Sequence, residues 1–158
     1  MINIRVPEEK DKNKIIDLLT SEKVNNFDLH NEILNNSMAV YDGDKILGYS
    51  SYKKLSNKNM ALIDLLIVKQ EYRGQYIGDG LIKAILNLAD KRQIKKVYLI
   101  SHGENSIFYE KAGLIKRKIE DCKEIIKYIG NELGNEETVE VFQAILPDFF
   151  NKACKSSR

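Results

Sequence analysis

A mixed α/β fold, with antiparallel strands first and a parallel crossover later, is the class this sequence predicts. Three observations predict it. An Asp42-Gly43-Asp44 turn sits between two apolar, β-prone runs, which is a hairpin signature. Residues 60 to 68 (MALIDLLIV) are apolar enough for a sheet centre and lead through a glycine-bearing loop into a helix. A second β-prone run, Lys96 to Ser101 (KVYLIS), follows that helix, and a strand–helix–strand unit of this length favours a parallel pair.

In chain order, Ile2 to Val6 alternates and reads as a short strand punctuated by Pro7. Lys12 to Leu19 carries Ile15, Ile16, Leu18 and Leu19 on a helical stripe. Residues 21 to 37 are polar, with Phe27, Leu29, Ile33 and Leu34 at helix-like spacing, so a second short helix is expected there. Met38 to Tyr41 and Ile46 to Tyr52 are the hairpin arms, and Gly43 supplies the positive φ that a tight turn needs. Ile77 to Lys91 is the clearest helix: Ile77, Leu81, Ile82, Ile85, Leu86 and Leu88 line one face, while Lys83, Asn87 and Asp90 face out. Ser106 to Lys111 begins another helix, ended by Gly113. Ile125, Ile126, Ile129 and Leu133 predict a helix from about Cys122 to Leu133. Thr138 to Leu146 fits a strand, with Val139 and Val141 alternating against Glu140, and equally a helix using Phe142, Ile145 and Leu146. Pro147 stops that element, and Asp148 to Cys154 is expected to add a last helical turn. Phe149 and Phe150 need cover from the core or from a second subunit, which makes a homodimer a candidate assembly.

At 158 residues the chain has the length of one domain and can bury a core without disulfides or metal. The near balance of 25 basic and 23 acidic residues gives no electrostatic case for nucleic acid or an anionic membrane. Cys122 and Cys154 lack CxxC spacing, so neither a disulfide scaffold nor a zinc site is expected, and no other metal site is anticipated. The start, MINIRVPEEKDK, has no apolar signal region, and no apolar run reaches the ~18 residues of a membrane span. A cytoplasmic location follows as the expectation.

The chemistry concentrates at residues 63 to 81, IDLLIVKQEYRGQYIGDGL. A strand, a tight loop and a helix start bring unpaired backbone N–H groups and the helix dipole to one point, where a phosphate can sit. A strand–turn–helix that merely needed glycine would read the same way in isolation. The loop lacks the GxGxxG spacing of dinucleotide folds, and no Walker Lys-Ser/Thr pair follows.

The order of elements and three segments resemble the GNAT superfamily of acetyl-CoA-dependent N-acetyltransferases. Leu66-Ile67-Val68, followed by Arg73-Gly74-Gln75-Tyr76-Ile77-Gly78, is similar to the family's pyrophosphate loop, Arg/Gln-x-x-Gly-x-Gly/Ala. Phe108-Tyr109-Glu110-Lys111-Ala112-Gly113-Leu114 is similar to the Phe-Tyr-x-x-x-Gly-Phe helix. The leading strand–helix, the Asp-Gly hairpin and Ile46-Leu47-Gly48 complete the likeness, which covers residues 2 to about 117. The resemblance implies a mostly antiparallel central sheet with a splayed parallel strand pair and helices on both faces. It also favours a closing strand over a helix at residues 138 to 146. It implies acetyl-CoA as co-substrate, with contacts from Leu66, Ile67, Val68, Arg73, Gly74, Gln75, Tyr76, Ile77, Gly78, Asp79 and Asn105. The pantetheine arm would pair with the strand edge like an added strand.

Two substitutions depart from the family pattern. Tyr76 stands where the motif has its first glycine, and Gln70 stands where many relatives have proline. Cofactor binding is expected to survive Tyr76 with its ring turned to the loop rim.

Tyr109 is the catalytic candidate that the resemblance supplies, as the acid that protonates the departing thiolate. Away from this motif, a tyrosine packing its ring on the sheet is the commoner role. The amine must shed a proton to attack, and Asp64, a polar intrusion into ALIDLLIV, is the candidate base; a partner Lys or Arg would explain it equally. Asp64 shares parity with Leu66 and Val68 and is expected on their face. An anion there favours a cationic acceptor over an acidic amino acid. Glu104 is a second base candidate, and His102 could serve as base or cofactor contact but reads as an ordinary loop residue. Asn105 either contacts the coenzyme arm or N-caps its helix. His30 reads as surface, without a partner in the sequence. A small-molecule amine is the expected acceptor. A non-catalytic acyl-CoA sensor or a protein acetyltransferase on the same fold is the alternative.

Overall fold

The structure is a computed structural model and describes residues 1–55, 59–74, 76–103, 105–129 and 139–151. Its strands are β1 (Ile2–Arg5), β2 (Ser37–Asp42), β3 (Lys45–Lys54), β4 (Met60–Val68), β5 (Lys96–Ser101), β6 (Ile115–Arg117) and β7 (Glu140–Ile145). They form one seven-stranded sheet in the order β1-β2-β3-β4-β5-β7-β6. All neighbours are antiparallel except β4 and β5, which run parallel across the helical crossover between them. The helices are α1 (Lys12–Ser21), α2 (Asn31–Asn35), α3 (Ile77–Lys91), α4 (Ser106–Lys111) and α5 (Lys123–Ile129).

Apolar periodicity sorts the helices onto two faces. The stripe Ile82, Ile85, Leu86 and Leu88 of α3 packs on Ala61, Ile63, Val97, Leu99 and Phe142. Phe108 and Tyr109 of α4 pack against the same cluster. On the opposite face, Ile15, Leu18 and Leu19 of α1 meet Ala39, Tyr41 and Tyr49, while Ile125 of α5 meets Met60, Tyr98 and Val141. The hairpin turn places Gly43 at φ +59°, and Gly113 ends α4 at φ +106°.

Two irregularities in β4 shape everything near the site. Its parallel ladder with β5 runs from Met60↔Lys96 to Ile63↔Leu99 and stops, although β4 continues to Val68. In its antiparallel ladder with β3, Tyr52 pairs with Ile63 and Ser51 with Leu65, so Asp64 is an extra residue, a β-bulge. Before the bulge Ala61 and Ile63 face α3; after it Leu66 and Val68 do. Asp64 therefore does not share the face of Leu66 and Val68, as simple parity predicts. It lies on the opposite face with Lys53, whose Nζ is 3.5 Å from its carboxylate. Along that face Met60 and Leu62 belong to the α5 cluster, and Leu65 and Ile67 to the α1 cluster. Asp64 occupies the polar seam between them.

Most expected elements are present, with local corrections. The second helix shrinks to α2, and His30 is its N-cap: Nδ1 accepts from the Ile33 N–H at 3.3 Å, and Nε2 lies 3.3 Å from the Asp28 carboxylate. Strand β6, with all three residues exposed, is an addition. Residues 140 to 145 are a strand, as the resemblance favours. The expected helix to Leu133 is seen as α5, and residues 130–138 lie outside the described ones, as does Cys154. Phe149 is buried, Phe150 packs against the α3 cluster, and the two rings meet edge-on at 5.3 Å, so the pair is covered by its own chain. That removes the reason for expecting a second subunit there.

Buried Asp11 locks the start of α1 to the sheet. Its Oδ2 accepts from the Tyr41 hydroxyl at 2.8 Å and the Glu8 N–H at 3.0 Å, and Arg5 lies 3.7 Å away. Burial pushes this carboxyl up, but the two hydrogen bonds with Arg5 and Lys10 outweigh it and hold it below the usual range. Such a group stabilises the fold above the ordinary carboxylate pKa and loses that contribution as pH falls through its lowered value. Asp11→Asn should cost about 1–3 kcal/mol near neutrality. In urea titrations the gap from the native protein should close below about pH 4.

Candidate active site

The end of the β4–β5 ladder opens a window in the sheet. From Leu65 to Val68, β4 pairs with β3 on one side and has no strand partner on the other among the described residues. Leu66, Ile67 and Val68 are each half-buried at this edge. Exposed N–H and C=O groups of such an edge accept an extended amide chain as another strand would.

The loop leaving β4 delivers backbone donors to the end of the window. Among the described residues, the N–H groups of Tyr76, Ile77 and Gly78 have no protein acceptor, and the first helical bond runs from Gly80 N–H to Tyr76 O at 3.1 Å. These are the orphan donors of a 15-residue helix, at the positive end of its dipole. Gly74 has φ +84° and open space where a Cβ would point. At Gly78 a Cβ would come 2.9 Å from Phe108 Cζ, so this glycine lets α3 and α4 approach each other. Tyr76 has φ +63°, a left-handed conformation costly for an aromatic residue, and its ring is 88% exposed. The ring is turned outward, as the departure from glycine requires.

The side chains of the loop are partly committed. Arg73 Nε donates to Val68 O at 2.9 Å and Nη2 to Glu22 Oε1 at 2.5 Å, tying the loop to the ends of β4 and α1. Asp79 accepts from Lys83 Nζ at 2.7 Å, which offsets its charge beside the unpaired amides of the helix start. Gln75 lies outside the described residues.

Tyr109 and Asp64 stand on opposite faces of the sheet. Tyr109, on α4, packs its ring on Phe142 at 5.3 Å and on Phe108 at 5.5 Å, on the α3 side. Asp64 opens to the other side, its side chain about one-third exposed at 33%. The window lies between them. Asn105 sits at the N-cap of α4 with φ +65° and makes no capping hydrogen bond, so the capping role is absent. Ser106 anchors that helix start instead, donating to Glu140, while Lys116 lies 3.2 Å from the same carboxylate; both hold Glu140 below the usual range. His102 is exposed at the end of β5, and Glu104 lies outside the described residues. On the Asp64 face, Tyr98 donates to Glu124 and accepts from Gln143 Nε2 at 3.1 Å, with burial and then Glu124 pushing its phenol up.

Residues 10–133 match the acetyltransferase (GNAT) domain, and the chain belongs to that family. Its members are acetyl-CoA-dependent acyltransferases, and the orphan amides beside an open strand edge are a donor set that fits a coenzyme A diphosphate and amide arm. Solved structures share the fold. N-acetylglutamate synthase from Neisseria gonorrhoeae, complexed with coenzyme A and N-acetyl-glutamate, is 15% identical with a TM-score of 0.72, over 90% of this chain and 35% of its own. The chain thus spans about a third of that enzyme. A GNAT acetyltransferase from Staphylococcus aureus Mu50 is 18% identical with a TM-score of 0.67, over 92% of this chain and 99% of its own. The ribosomal-protein-S18-alanine N-acetyltransferase from Escherichia coli is 13% identical with a TM-score of 0.68, over 92% and 94%. Among curated proteins none matches the sequence. Among the described residues no helix is long and apolar enough to cross a membrane, and no cluster of three metal-ligating side chains occurs.

Lys53 and Glu22 are the site neighbours that sequence reasoning missed. Both act on partners distant in sequence, and no local pattern marks either. Tyr76→Gly relieves the left-handed strain while loosening the unfolded chain; the net gain should be about 1 kcal/mol or less. Calorimetry should show a melting temperature higher by up to roughly 3 °C.

Proposed function

We propose that the chain transfers acetyl from acetyl-CoA to the primary amine of a small molecule, by direct attack of the amine on the thioester. The observation that carries this reading is the window itself, with a carboxylate on one face and a tyrosine on the other. Acetyl-CoA supplies the acetyl group as a thioester. The β4 edge at Leu66, Ile67 and Val68 pairs with the amides of its arm, and the N–H groups from Gly74 to Gly78 hold its diphosphate. Arg73 and Asp79 shape this loop through Glu22 and Lys83. Tyr76 lies along the rim, and Asn105, uncommitted as a cap, is the contact from the α4 side.

Asp64 accepts a proton from the ammonium form of the acceptor, directly or through water, on the α1 and α5 face. The freed amine forms its C–N bond as the C–S bond breaks, and Tyr109 donates its hydroxyl proton to the sulfur on the α3 and α4 face. The proton given up by the new amide nitrogen passes through water to the Tyr109 phenolate, so the tyrosine ends as it began and atoms and charge balance.

Asp64 lies between two apolar clusters, a setting that favours a small acceptor with an apolar body. Lys53 offsets the Asp64 charge, which removes the reason to require a second positive charge on that acceptor. Thermal shift with acetyl-CoA, followed by a thiol-release screen of small amines and peptide N-termini, tests the reading. Turnover restricted to peptides would refute the small-molecule acceptor. Binding without any turnover would indicate a sensor.

Tyr109→Phe should lower kcat by about 10²-fold while the Kd of acetyl-CoA stays within about twofold. Equal losses in both would make the tyrosine a packing residue. Tyr76→Gly should leave the Kd of acetyl-CoA within about twofold in calorimetric titration, because the ring already points away from the loop.

A further inference from the structure

Helix α4 straddles the level at which β4 and β5 part. Phe142 of β7 lies opposite Leu99, on the last rung that β5 shares with β4. Glu140 lies opposite Ser101, two residues into the separated stretch. Two-residue periodicity puts Glu140 and Phe142 on one face of β7, and α4 meets both. Tyr109 rests its ring on Phe142 at 5.3 Å, and Ser106, three residues earlier on the same side of the helix, donates its hydroxyl to Glu140. The Gly103 carbonyl, 3.5 Å from Ser106 Oγ, is a marginal second acceptor. Lys116 of β6 stands 3.2 Å from the other carboxylate oxygen of Glu140. The Ser106 hydroxyl first, and Lys116 after it, hold this carboxyl below the usual range, so it is an ionised acceptor.

A helix of six residues does not hold itself in water, so its place is set by what it touches. None of its residues is fully buried, and Asn105 makes no capping bond at its start. Phe108 and Tyr109 supply ring contacts, which are non-directional and let a short helix slide or roll. The bond from Ser106 to Glu140 is directional and charge-assisted, and it fixes the roll. The backbone carries that restraint to Tyr109. Its N–H donates to Asn105 O at 3.0 Å, and the Leu114 N–H donates to Tyr109 O at 3.1 Å. At the far end Gly113 lies against Phe149, where a Cβ would come 3.1 Å from the ring.

We propose that Glu140 and Ser106 are positioning residues for the acetyl transfer: their bond pins the first turn of α4 to β7 and so sets where the Tyr109 hydroxyl meets the departing sulfur. This rests on Tyr109 being the acid of the proposed reaction, and it gives a task to two groups that the transfer chemistry does not otherwise use. Without the bond α4 keeps its ring contacts, but the hydroxyl loses its aim. Misplacing a reacting group by about 1 Å can cost roughly 10²-fold in rate. Coenzyme binding rests mainly on the β4 edge and the amides at the start of α3, which are separate elements.

A double-mutant cycle tests it, with the acceptor that the thiol-release screen finds. Ser106→Ala should lower kcat about tenfold, with the Kd of acetyl-CoA within about twofold. Ser106→Thr keeps the hydroxyl and should recover most of the lost rate. Glu140→Ala should act as Ser106→Ala does, and the two together should lose no more than the larger single loss, since one bond serves both. In a Tyr109→Phe background Ser106→Ala should cost nothing further, because no hydroxyl is left to aim. The melting temperature of Ser106→Ala should fall by about 4 °C or less. The inference is overturned by an unchanged kcat in Ser106→Ala, by equal losses in both backgrounds, or by a loss of coenzyme affinity as large as the loss of rate. If Tyr109→Phe itself keeps full activity, the acid assignment falls and this inference falls with it. If Tyr109→Phe is slow and Ser106→Ala is not, only the positioning role falls.

Discussion

The parting of β4 from β5 after Ile63 and Leu99 is the constraint on which the rest depends. A parallel pair that stayed zipped to Val68 would leave no strand edge for an amide chain and no passage through the sheet. Once the strands diverge, every later feature has a place: an edge on β4, orphan amides at the start of α3, and Asp64 and Tyr109 on opposite faces. The core tolerates the opening because α3 remains packed against Ala61, Ile63, Val97 and Leu99, below the point of separation. Apolar burial holds the strands together where they pair and leaves their upper parts free to splay.

The bulge at Asp64 works with that divergence. One extra residue turns a strand that would present a carboxylate to the α3 core into one that presents it to the opposite face. The carboxylate then meets Lys53 and the seam between two apolar clusters instead of hydrocarbon. A buried unpaired charge at the α3 face would cost far more than a local kink in a ladder.

Long periodic elements were legible in the sequence because burial of one face writes itself as spacing. The α3 boundaries, the β4 and β5 runs and the Asp-Gly hairpin follow from pattern alone, and the parallel pairing follows from the length of the crossover. What was not legible is what depends on pairing partners. No glycine or proline marks the bulge, so two-residue parity put Asp64 on the wrong face. Strand β6 is three exposed residues that only β7 makes into a strand. His30 and Asn105 show the limit of local capping rules: the histidine caps and the asparagine does not. At the site, motif resemblance supplied the loop and the tyrosine, while the ion pairs of Asp64 with Lys53 and of Arg73 with Glu22 join residues with no shared pattern.

The contact between Gly78 and Phe108 has a further consequence. On the proposed reading, it joins the turn that would grip the donor's charged end to the helix whose next residue, Tyr109, would face the donor's reacting end. Because the ring occupies the space a Cβ at residue 78 would need, any larger side chain there would push the two helix starts apart. The two helix starts thus behave as the jaws of a caliper set to one arm length. A carrier with an arm one bond longer or shorter could lodge its charged end normally and still present its sulfur out of step with the hydroxyl meant to receive it.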